Sequence, residues 1–329
     1  MEYPSLDKPT AGAFRFNTDS SQLEIYDGNQ WTGVSSYLPG NAKGGGRGLF
    51  GGGSVPGNKD TIDYIQIQSA GDAIDFGDLT VAGQQSAASS STRGLFAMGS
   101  NNNTISYVTI ASTGNATDFG DRTIAKNGPG GLANSTRAIF VGGGAPSPQL
   151  TTMDYVEIAT TGNAADFGDT SAGTKNSSGA GNAVRAVIAL GGDPIRNNIE
   201  YISIPTLGNS IDFGDMLNNT EGTSAFSDPT RCVLAGGYVS PTNSNIIGYV
   251  TISTIGNATD FGDLTVATQS GAAFSNSVRG GVAGGAVPSV RSEIDYVNIQ
   301  TTGNATNFGD CTVNRAYIGG CSDSHGGLG

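Results

Sequence analysis

Short apolar segments alternate with polar, glycine-rich segments from about residue 44 to the end of the chain. Four kinds of segment recur in a fixed order. The first is small and polar (residues 271–275), and the second begins with Arg and ends in a Gly pair (residues 137–143). The third alternates apolar and polar positions (residues 154–158), as a strand with one buried face does, and the fourth contains Phe-Gly-Asp (residues 259–265). This order predicts units of four antiparallel strands.

A tyrosine in the third segment and a phenylalanine in the fourth mark six repeats. Each Phe lies 12 residues after its Tyr, and successive tyrosines are 43 to 48 residues apart. A period in the forties is that of one propeller blade. The expected fold is therefore all-β, a six-bladed β-propeller; seven blades, with the N-terminal segment making the extra one, is the less favoured alternative. The tyrosines are Tyr64, Tyr107, Tyr155, Tyr201, Tyr249 and Tyr296.

The two ends of the repeat region complement each other. The first repeat has only residues 41–46, half of them glycine, before its Arg47, so it lacks a first segment. The chain, however, continues well past the last Phe-Gly-Asp. We expect residues 314–323 to supply the missing strand of the blade formed by residues 47–81. This strand would close the propeller and leave no long open sheet edge. A gapless alignment with residues 81–96 places His325 where the repeat has Arg93.

Residues 1–40 do not follow the repeat. Residues 12–18 and 22–28 are predicted to be strands, residues 30–31 begin a third, and residues 19–21 form the turn between the first two. A sheet this small is marginal on its own and needs a partner surface. The predicted domains are thus an N-terminal β-hairpin module, residues 1–40, and a propeller, residues 41–329.

Composition narrows the class of partner. Gly accounts for 52 of 329 residues, charged residues for 13%, and the formal net charge is −12 with a pI near 4.3. Nucleic acid and anionic membranes attract clustered Lys and Arg, so neither is expected as a partner. No apolar run has the length of a transmembrane helix, and the first residues do not resemble a signal peptide. The three cysteines do not form a disulfide framework and are expected to be small buried side chains.

The Gly pair, the Tyr-centred strand and the Arg near the start of the second segment resemble the Kelch-type β-propeller over residues 44–329. The N-terminal series Gly-x-x-Arg-Phe-Asn, Leu-Glu-x-Tyr-Asp-Gly and Gln-Trp resembles a short module of bacteriophage tail-fibre and virion-appendage proteins. The repeated Thr-Gly-Asn-Ala-Thr-Asp-Phe-Gly-Asp is also similar to repeats of phage virion proteins, including those of cyanophages. Together, these resemblances imply a virion protein assembled in the cytoplasm of a bacterial host, which residues 1–40 attach to other virion proteins.

The repeated acidic residues have a structural interpretation. Asp-Phe-Gly holds magnesium in protein kinases only alongside a phosphate loop, a strand lysine and a catalytic-loop Asp, which this chain lacks. The second aspartate of Phe-Gly-Asp is expected to pair with the repeated arginine. Local turn chemistry is one alternative, and a calcium site is another. The repeat residues assigned this structural role are Arg93, Arg137, Arg185, Arg231, Arg279, Asp121, Asp169, Asp215 and Asp263.

No catalytic, cofactor or metal residue is predicted, and the protein is not expected to be an enzyme. Because the chain has only one histidine, His325, most metal and Ser–His–Asp sites are excluded. His325 itself is interpreted as a strand-end residue near the closing seam. A glycosidase needs only two carboxylates at a set separation, so a polysaccharide-acting hydrolase stays an alternative. An acidic pair in the central channel would favour it.

Differences in loop length between repeats indicate a candidate binding surface. The Arg-to-Tyr segment varies between 14 and 18 residues, and insertions on one face of a repeat array often mark a binding face. Unconstrained surface turns are an equal alternative. The leading prediction is a tail fibre or appendage protein, present in multiple copies, that binds host-surface glycan or protein through these loops. Decoration of the capsid or tail without a receptor, and a cellular Kelch-type scaffold, are alternatives. The predicted binding residues are Asn58, Lys59, Gln149, Arg196, Asn197 and Asn243.

Overall fold

The computed structural model describes residues 9–17, 22–33, 46–144, 147–286 and 289–328. The chain separates into two compact units, residues 1–42 and 43–329. The predicted turn at residues 19–21 and the predicted domain boundary after residue 40 lie outside the described residues, as do residues 145 and 146 of one variable loop.

The N-terminal unit contains one three-stranded antiparallel sheet with strands β1 (Phe14–Asn17), β2 (Gln22–Tyr26) and β3 (Trp31–Gly33). These strands lie where the sequence predicts them. Arg15 binds Glu24 across the sheet at 2.7 Å, and its guanidinium carbon lies 4.4 Å from the centre of the Trp31 ring. Phe14 and Phe16 lie on the other face of the same strand and are 61% and 63% exposed.

The second unit is built from strands of two to ten residues. They are β4 (Arg47–Gly51), β5 (Thr61–Gln66), β6 (Ile74–Asp78), β7 (Gln85–Ser89), β8 (Arg93–Met98), β9 (Thr104–Thr109), β10 (Thr117–Asp121), β11 (Gly130–Ala133), β12 (Arg137–Val141), β13 (Leu150–Glu157), β14 (Ala165–Thr174), β15 (Ser178–Gly181), β16 (Arg185–Ala189), β17 (Arg196–Ser203), β18 (Ile211–Thr220), β19 (Ser224–Ser227), β20 (Arg231–Ala235), β21 (Tyr238–Val239), β22 (Thr242–Asn243), β23 (Ile246–Thr251), β24 (Thr259–Asp263), β25 (Ala272–Ser275), β26 (Arg279–Ala283), β27 (Glu293–Asn298), β28 (Thr306–Asp310) and β29 (Gly319–Ser322).

These strands form six four-stranded antiparallel sheets and one short two-stranded sheet (β21-β22) within the described residues. The six are sheet I (β29-β4-β5-β6), sheet II (β7-β8-β9-β10), sheet III (β11-β12-β13-β14), sheet IV (β15-β16-β17-β18), sheet V (β19-β20-β23-β24) and sheet VI (β25-β26-β27-β28). Each is open, with two edges. A 3-10 turn at Gly326–Leu328 follows β29. The fold is therefore all-β and propeller-like.

The first strand of sheet I comes from the C-terminal segment. Gly319–Ser322 pairs antiparallel with Arg47–Gly51, and the register sets Ser322 opposite Gly48. Asp323 Oδ1 accepts the N–H of Arg47, as Ser90 Oγ accepts that of Arg93 in sheet II. Asp323 thus holds the Ser90 position, so the Arg position falls on Gly326. The alignment of His325 with Arg93 is wrong by one residue, because the connection that precedes Ser90 is one residue shorter than its counterparts.

Hydrophobic cores lie between consecutive sheets. One cluster joins Leu95 of sheet II with Phe140 of sheet III, and five others follow the same plan. The cluster containing Phe50 and Phe274 joins sheet I with sheet VI. Within each sheet the repeated Tyr and Phe meet edge to face, as Tyr107 and Phe119 do at 5.7 Å. The spacing of 12 residues therefore serves one aromatic contact per sheet.

A repeated backbone hydrogen bond also links neighbouring sheets. The N–H of Gly162 in sheet III donates to the carbonyl of Phe119 in sheet II at 2.8 Å, and the N–H of Gly71 in sheet I donates to Phe308 in sheet VI at the same distance. We name these contacts the Gly–Phe seam. Its six bonds join Gly71 to Phe308, Gly114 to Phe76, Gly162 to Phe119, Gly208 to Phe167, Gly256 to Phe213 and Gly303 to Phe261.

Candidate functional site

The repeated arginines bind aromatic rings and backbone carbonyls. Arg93 lies over the Tyr107 ring at 4.9 Å, and its Nη1 donates to the carbonyl of Ile158 in the next sheet at 2.9 Å. The equivalent arginines of the other five sheets make both contacts, at 4.5 to 5.0 Å from the ring and 2.8 to 3.4 Å from the carbonyl. Only Arg137 of the set also forms an ion pair within the described residues, with Glu157.

The predicted pairing of these arginines with the second aspartates is therefore wrong. Asp121, Asp169, Asp215 and Asp263 each donate a backbone N–H to an Asn side chain of the next sheet, as Asp121 does to Asn163 Oδ1 at 3.1 Å. This contact accounts for the repeated Asn of Thr-Gly-Asn, because its side chain accepts a hydrogen bond from the fourth strand of the preceding sheet. The repeated arginines and the second aspartates thus both lie at the contacts between sheets, but they do not bind each other.

Buried Arg–Asp pairs do occur, at residues that the sequence reasoning did not select. Arg315 Nη2 lies 2.8 Å from Asp63 Oδ2, and neither side chain is exposed. Arg122 Nε lies 3.1 Å from Asp154 Oδ2, with Thr123 as a further donor to that carboxylate. Burial raises the pKa of Asp154, against the opposing effect of Arg122. The sequence feature that could have revealed these pairs is the acidic residue directly before the repeated Tyr.

The loops of variable length lie at one end of the sheets. In sheet II the N–H of Gly99 donates to the carbonyl of Gln84 at 2.7 Å, which ties the loop after the second strand to the segment entering the first. In four other sheets the Gly at the same loop position donates instead to the segment that enters the first strand of the next sheet: Gly53 to Gly83, Gly143 to Thr174, Gly237 to Thr268 and Gly285 to Arg315. We call this end of the sheets the loop end.

The predicted binding residues lie on the loops of four sheets. Gln149 Nε2 donates to the carbonyl of Asp193 at 3.1 Å, and Asn243 Nδ2 donates to the carbonyl of Ala286 at 2.6 Å, so both link adjacent loops. Asn58 is exposed and Lys59 is half-buried in the sheet I loop. Arg196 and Asn197 begin β17 and are half-buried. Their binding role stays a prediction.

A central cavity of about 130 Å³ lies between the first strands of all six sheets. Side chains and backbone from residues 84–89, 129–133, 176–181, 222–227, 270–271, 273–275 and 317–322 line it, together with His325. None of these lining residues is Asp, Glu, Lys or Arg. The acidic pair that would favour a hydrolase is thus not found among the described residues of this wall.

A chain of backbone hydrogen bonds runs along the cavity at the loop end. Five N–H···O bonds of 2.7 to 3.2 Å lead from sheet to sheet. Asn176, Ser270 and Tyr317 in this chain have φ of 50°, 56° and 60°. The left-handed region favours glycine, and Gly128 and Gly222 hold the equivalent places in sheets III and V. The bonds join Asn176 to Gly128, Gly222 to Asn176, Ser270 to Gly222, Tyr317 to Ser270 and Gln85 to Tyr317.

Serine hydroxyls form a tier around the opposite end of the cavity. Ser89, Ser322, Ser275 and Ser227 each donate through Oγ to a carbonyl of the neighbouring first strand, at 2.6 to 2.8 Å. Sheets III and IV have Ala133 and Gly181 at this position, which carry no hydroxyl. The carbonyl of Ser89 instead lies 2.8 Å from His325 Nε2, while His325 Nδ1 accepts the N–H of Gly327. The C-terminal turn therefore completes the tier.

We expect His325 to make the stability of the protein depend on pH. Desolvation lowers the pKa of its ring, whereas in the unfolded chain the pKa is near the ordinary value of about 6.5. The unfolded state therefore takes up a proton first as pH falls, so this stability is complete above about pH 6.5 and declines below it. We expect the wild-type melting temperature to fall more between about pH 7 and pH 5 than that of His325→Gln. Equal slopes would contradict this assignment, and the protein has no other His.

The three cysteines are free and buried. Burial raises the pKa of Cys232, Cys311 and Cys321 to about 12, so almost no reactive thiolate exists near neutral pH. We expect iodoacetamide at about pH 8 to label none of them in the folded protein and all three in concentrated guanidinium chloride. Mass spectrometry of the intact protein counts the labels; labelling of the folded protein at a rate near that of the unfolded chain would refute the inference.

Within the described part of the chain, no three His, Cys, Asp or Glu side chains come together as a metal site would require. The same residues contain no helix of a length and apolarity suited to crossing a membrane.

Comparison with known proteins identifies the fold but no family. No protein-family model matches the chain, and no curated protein matches it. Among solved structures it is similar to one described as "Structure of YjhT", with a TM-score of 0.58 and 11% sequence identity over 71% of this chain and 85% of that one. At this identity the likeness concerns the architecture alone.

Proposed function

We propose that the six sheets form the blades of one closed, six-bladed propeller. Three contacts between sheets VI and I support closure: the Gly71–Phe308 hydrogen bond, the core cluster with Phe50 and Phe274, and the bond from Arg279 Nη1 to the carbonyl of Ile67. Each repeats a contact that the other consecutive sheets make. The C-terminal strand β29 would then be the element that closes the ring.

We propose further that the protein is a non-enzymatic structural protein of a phage virion, of the tail-fibre or appendage type, that adheres to the host surface through its loops. The observation that carries the adhesion role is the position of the variable loops, which are hydrogen-bonded to the segments that enter the first strands at one end of the cavity. Decoration of the capsid or tail without a receptor is the alternative if these loops bind nothing.

The N-terminal unit supports attachment to other virion proteins. Phe14 and Phe16 project from one face of β1 and are more than half exposed, which is costly unless another surface covers them. Attachment through this face would give the small sheet the partner surface that it needs.

Electron cryomicroscopy of the intact particle tests the proposal. We expect ring-shaped density with six blades, linked to the particle through residues 1–40. A control pair separates attachment from folding: Phe14→Ser with Phe16→Ser should abolish incorporation, whereas Ile74→Ser with Ile211→Ser, exposed to a similar degree, should not. Purified particles without this chain would refute the virion role, and a ring with another number of blades would refute closure as proposed.

A further inference from the structure

The central cavity has the chemistry of a ligand site for an uncharged molecule. A bound anion would find no Lys or Arg in the wall, and a bound cation would find no carboxylate among the lining residues. An apolar ligand would cover hydroxyl and amide groups without replacing their hydrogen bonds with water, which is unfavourable. A neutral molecule rich in hydroxyl groups satisfies all of these conditions.

Two buried hydroxyls of the wall lack a partner within the protein. Ser86 is 6% exposed and Thr223 is 9% exposed, and neither Ser86 Oγ nor Thr223 Oγ1 makes a hydrogen bond to a described protein group. Both residues line the cavity. Neither oxygen is accessible from the cavity, so a rotation about χ1 is needed before either can bind a ligand there.

The loop end holds three side chains at a backbone cost. Asn176, Ser270 and Tyr317 keep left-handed φ values at positions where sheets III and V have glycine. Such a conformation is unfavourable for a bulky residue such as Tyr, and residues held this way concentrate at functional sites. All three line the cavity and offer an amide, a hydroxyl and a phenol. Glycine would form the same backbone turn at lower cost, so the side chains themselves are the reason for Asn, Ser and Tyr at these positions.

We propose that the loop end of the cavity binds one neutral sugar residue at the end of a glycan. This inference rests on the proposed adhesive function and names its ligand class. A volume of about 130 Å³ has room for on the order of ten water-sized groups, comparable with the roughly one dozen non-hydrogen atoms of a hexose. The three loop-end side chains supply donors and acceptors, and the Tyr317 ring supplies an apolar face. At the other end, His325 and the turn after it limit the depth.

Saturation-transfer NMR with the full chain tests the assignment, with glucose, galactose and N-acetylglucosamine as neutral probes. N-acetylneuraminic acid and glucosamine are the charged comparisons. We expect at least one neutral probe to bind, and the charged probes to bind at least tenfold more weakly. A charged probe that binds as tightly as the best neutral one, or no binding by any neutral probe at high millimolar concentration, would overturn the proposal.

Glycine substitutions separate ligand contact from folding, because glycine relieves the left-handed conformation. The variant with Asn176→Gly, Ser270→Gly and Tyr317→Gly should keep or raise the melting temperature and lose at least tenfold in affinity. Ser100→Gly with Asn101→Gly is the matched control, since φ is 57° and 58° there and neither residue lines the cavity. The control should bind as the wild type does. Unchanged affinity in the triple variant would overturn the site.

The two proposals fail separately. Virions carrying the triple variant that still adsorb normally would refute the cavity as the adhesive site and leave the virion role intact. Sugar binding by a chain that is missing from particles would refute the virion role and leave the site intact.

Discussion

We expect Asp154→Asn to lower the free energy of unfolding by about 3–5 kcal/mol. Asp154 is 1% exposed and neutralises Arg122, whose side chain is fully buried. Arg122 also donates to the carbonyl of Gly142 at 2.9 Å, so it has no room to move into solvent without breaking a link between sheets II and III. The neutral amide preserves shape but leaves the guanidinium charge uncompensated. Urea denaturation of the wild type and the variant measures the difference.

Glu157→Gln is the matched control on the same strand. Glu157 also pairs with an arginine, Arg137, at 2.8 Å, but its side chain is 49% exposed. Exposed pairs contribute roughly 0–1 kcal/mol, so little loss is expected. The double variant Arg122→Met with Asp154→Leu should recover most of the stability, because removing both charges removes the cost of burying either. Similar losses for Asp154→Asn and Glu157→Gln would contradict the argument.

Gly120→Ala should destabilise the protein by about 2–5 kcal/mol, from backbone strain together with overpacking. Gly120 has φ of 146°, and a Cβ there would collide with the carbonyl of Gly162 in the next sheet. This is the glycine of Asp-Phe-Gly, so the substitution would separate sheets II and III at the Gly–Phe seam. Thermal unfolding followed by circular dichroism measures the loss.

Gly162→Ala tests the same contact from its other side. A Cβ on Gly162 meets nothing within 4 Å. We therefore expect its melting temperature to stay within a few degrees of the wild-type value. If Gly120→Ala were equally harmless, the close backbone approach would not be the reason for the repeated glycine.

Periodic features of the fold were predictable because each residue meets the same surroundings in every repeat. The 12-residue spacing located the third and fourth strands of all six sheets, and the missing segment before Arg47 pointed to the C-terminal residues that form β29. The N-terminal strands followed from alternation of apolar and polar residues. These signals are local, or they recur at a fixed step, so one chain is enough to detect them.

Partners between sheets were not predictable in the same way. Arg93 and Asp121 recur together, but Arg93 donates to a backbone carbonyl of the next sheet and Asp121 donates its backbone N–H to Asn163. Repetition marks such residues without showing which group each one meets. Arg315 and Asp63 form a buried pair across most of the chain length, and the equivalent positions in two other repeats hold Thr174 and Thr268 rather than arginine. The cavity was not predictable either, because it is the space between six first strands that are far apart in the sequence. The left-handed φ of Tyr317 is a property of the backbone, which the residue type does not reveal.

The pairing of β29 with β4 also bears on how the protein is made. Arg47 and its partner Asp323 are 276 residues apart, so a ribosome completes the strands of sheets II to VI before sheet I can gain its first strand. Until then the edge of β4 stays unpaired, and an open edge readily associates with other strands. A chain interrupted during translation therefore exposes the unpaired edge of β4, which the complete chain covers. Chaperones and proteases in the producing cell would meet that edge before any unfinished copy reached assembly.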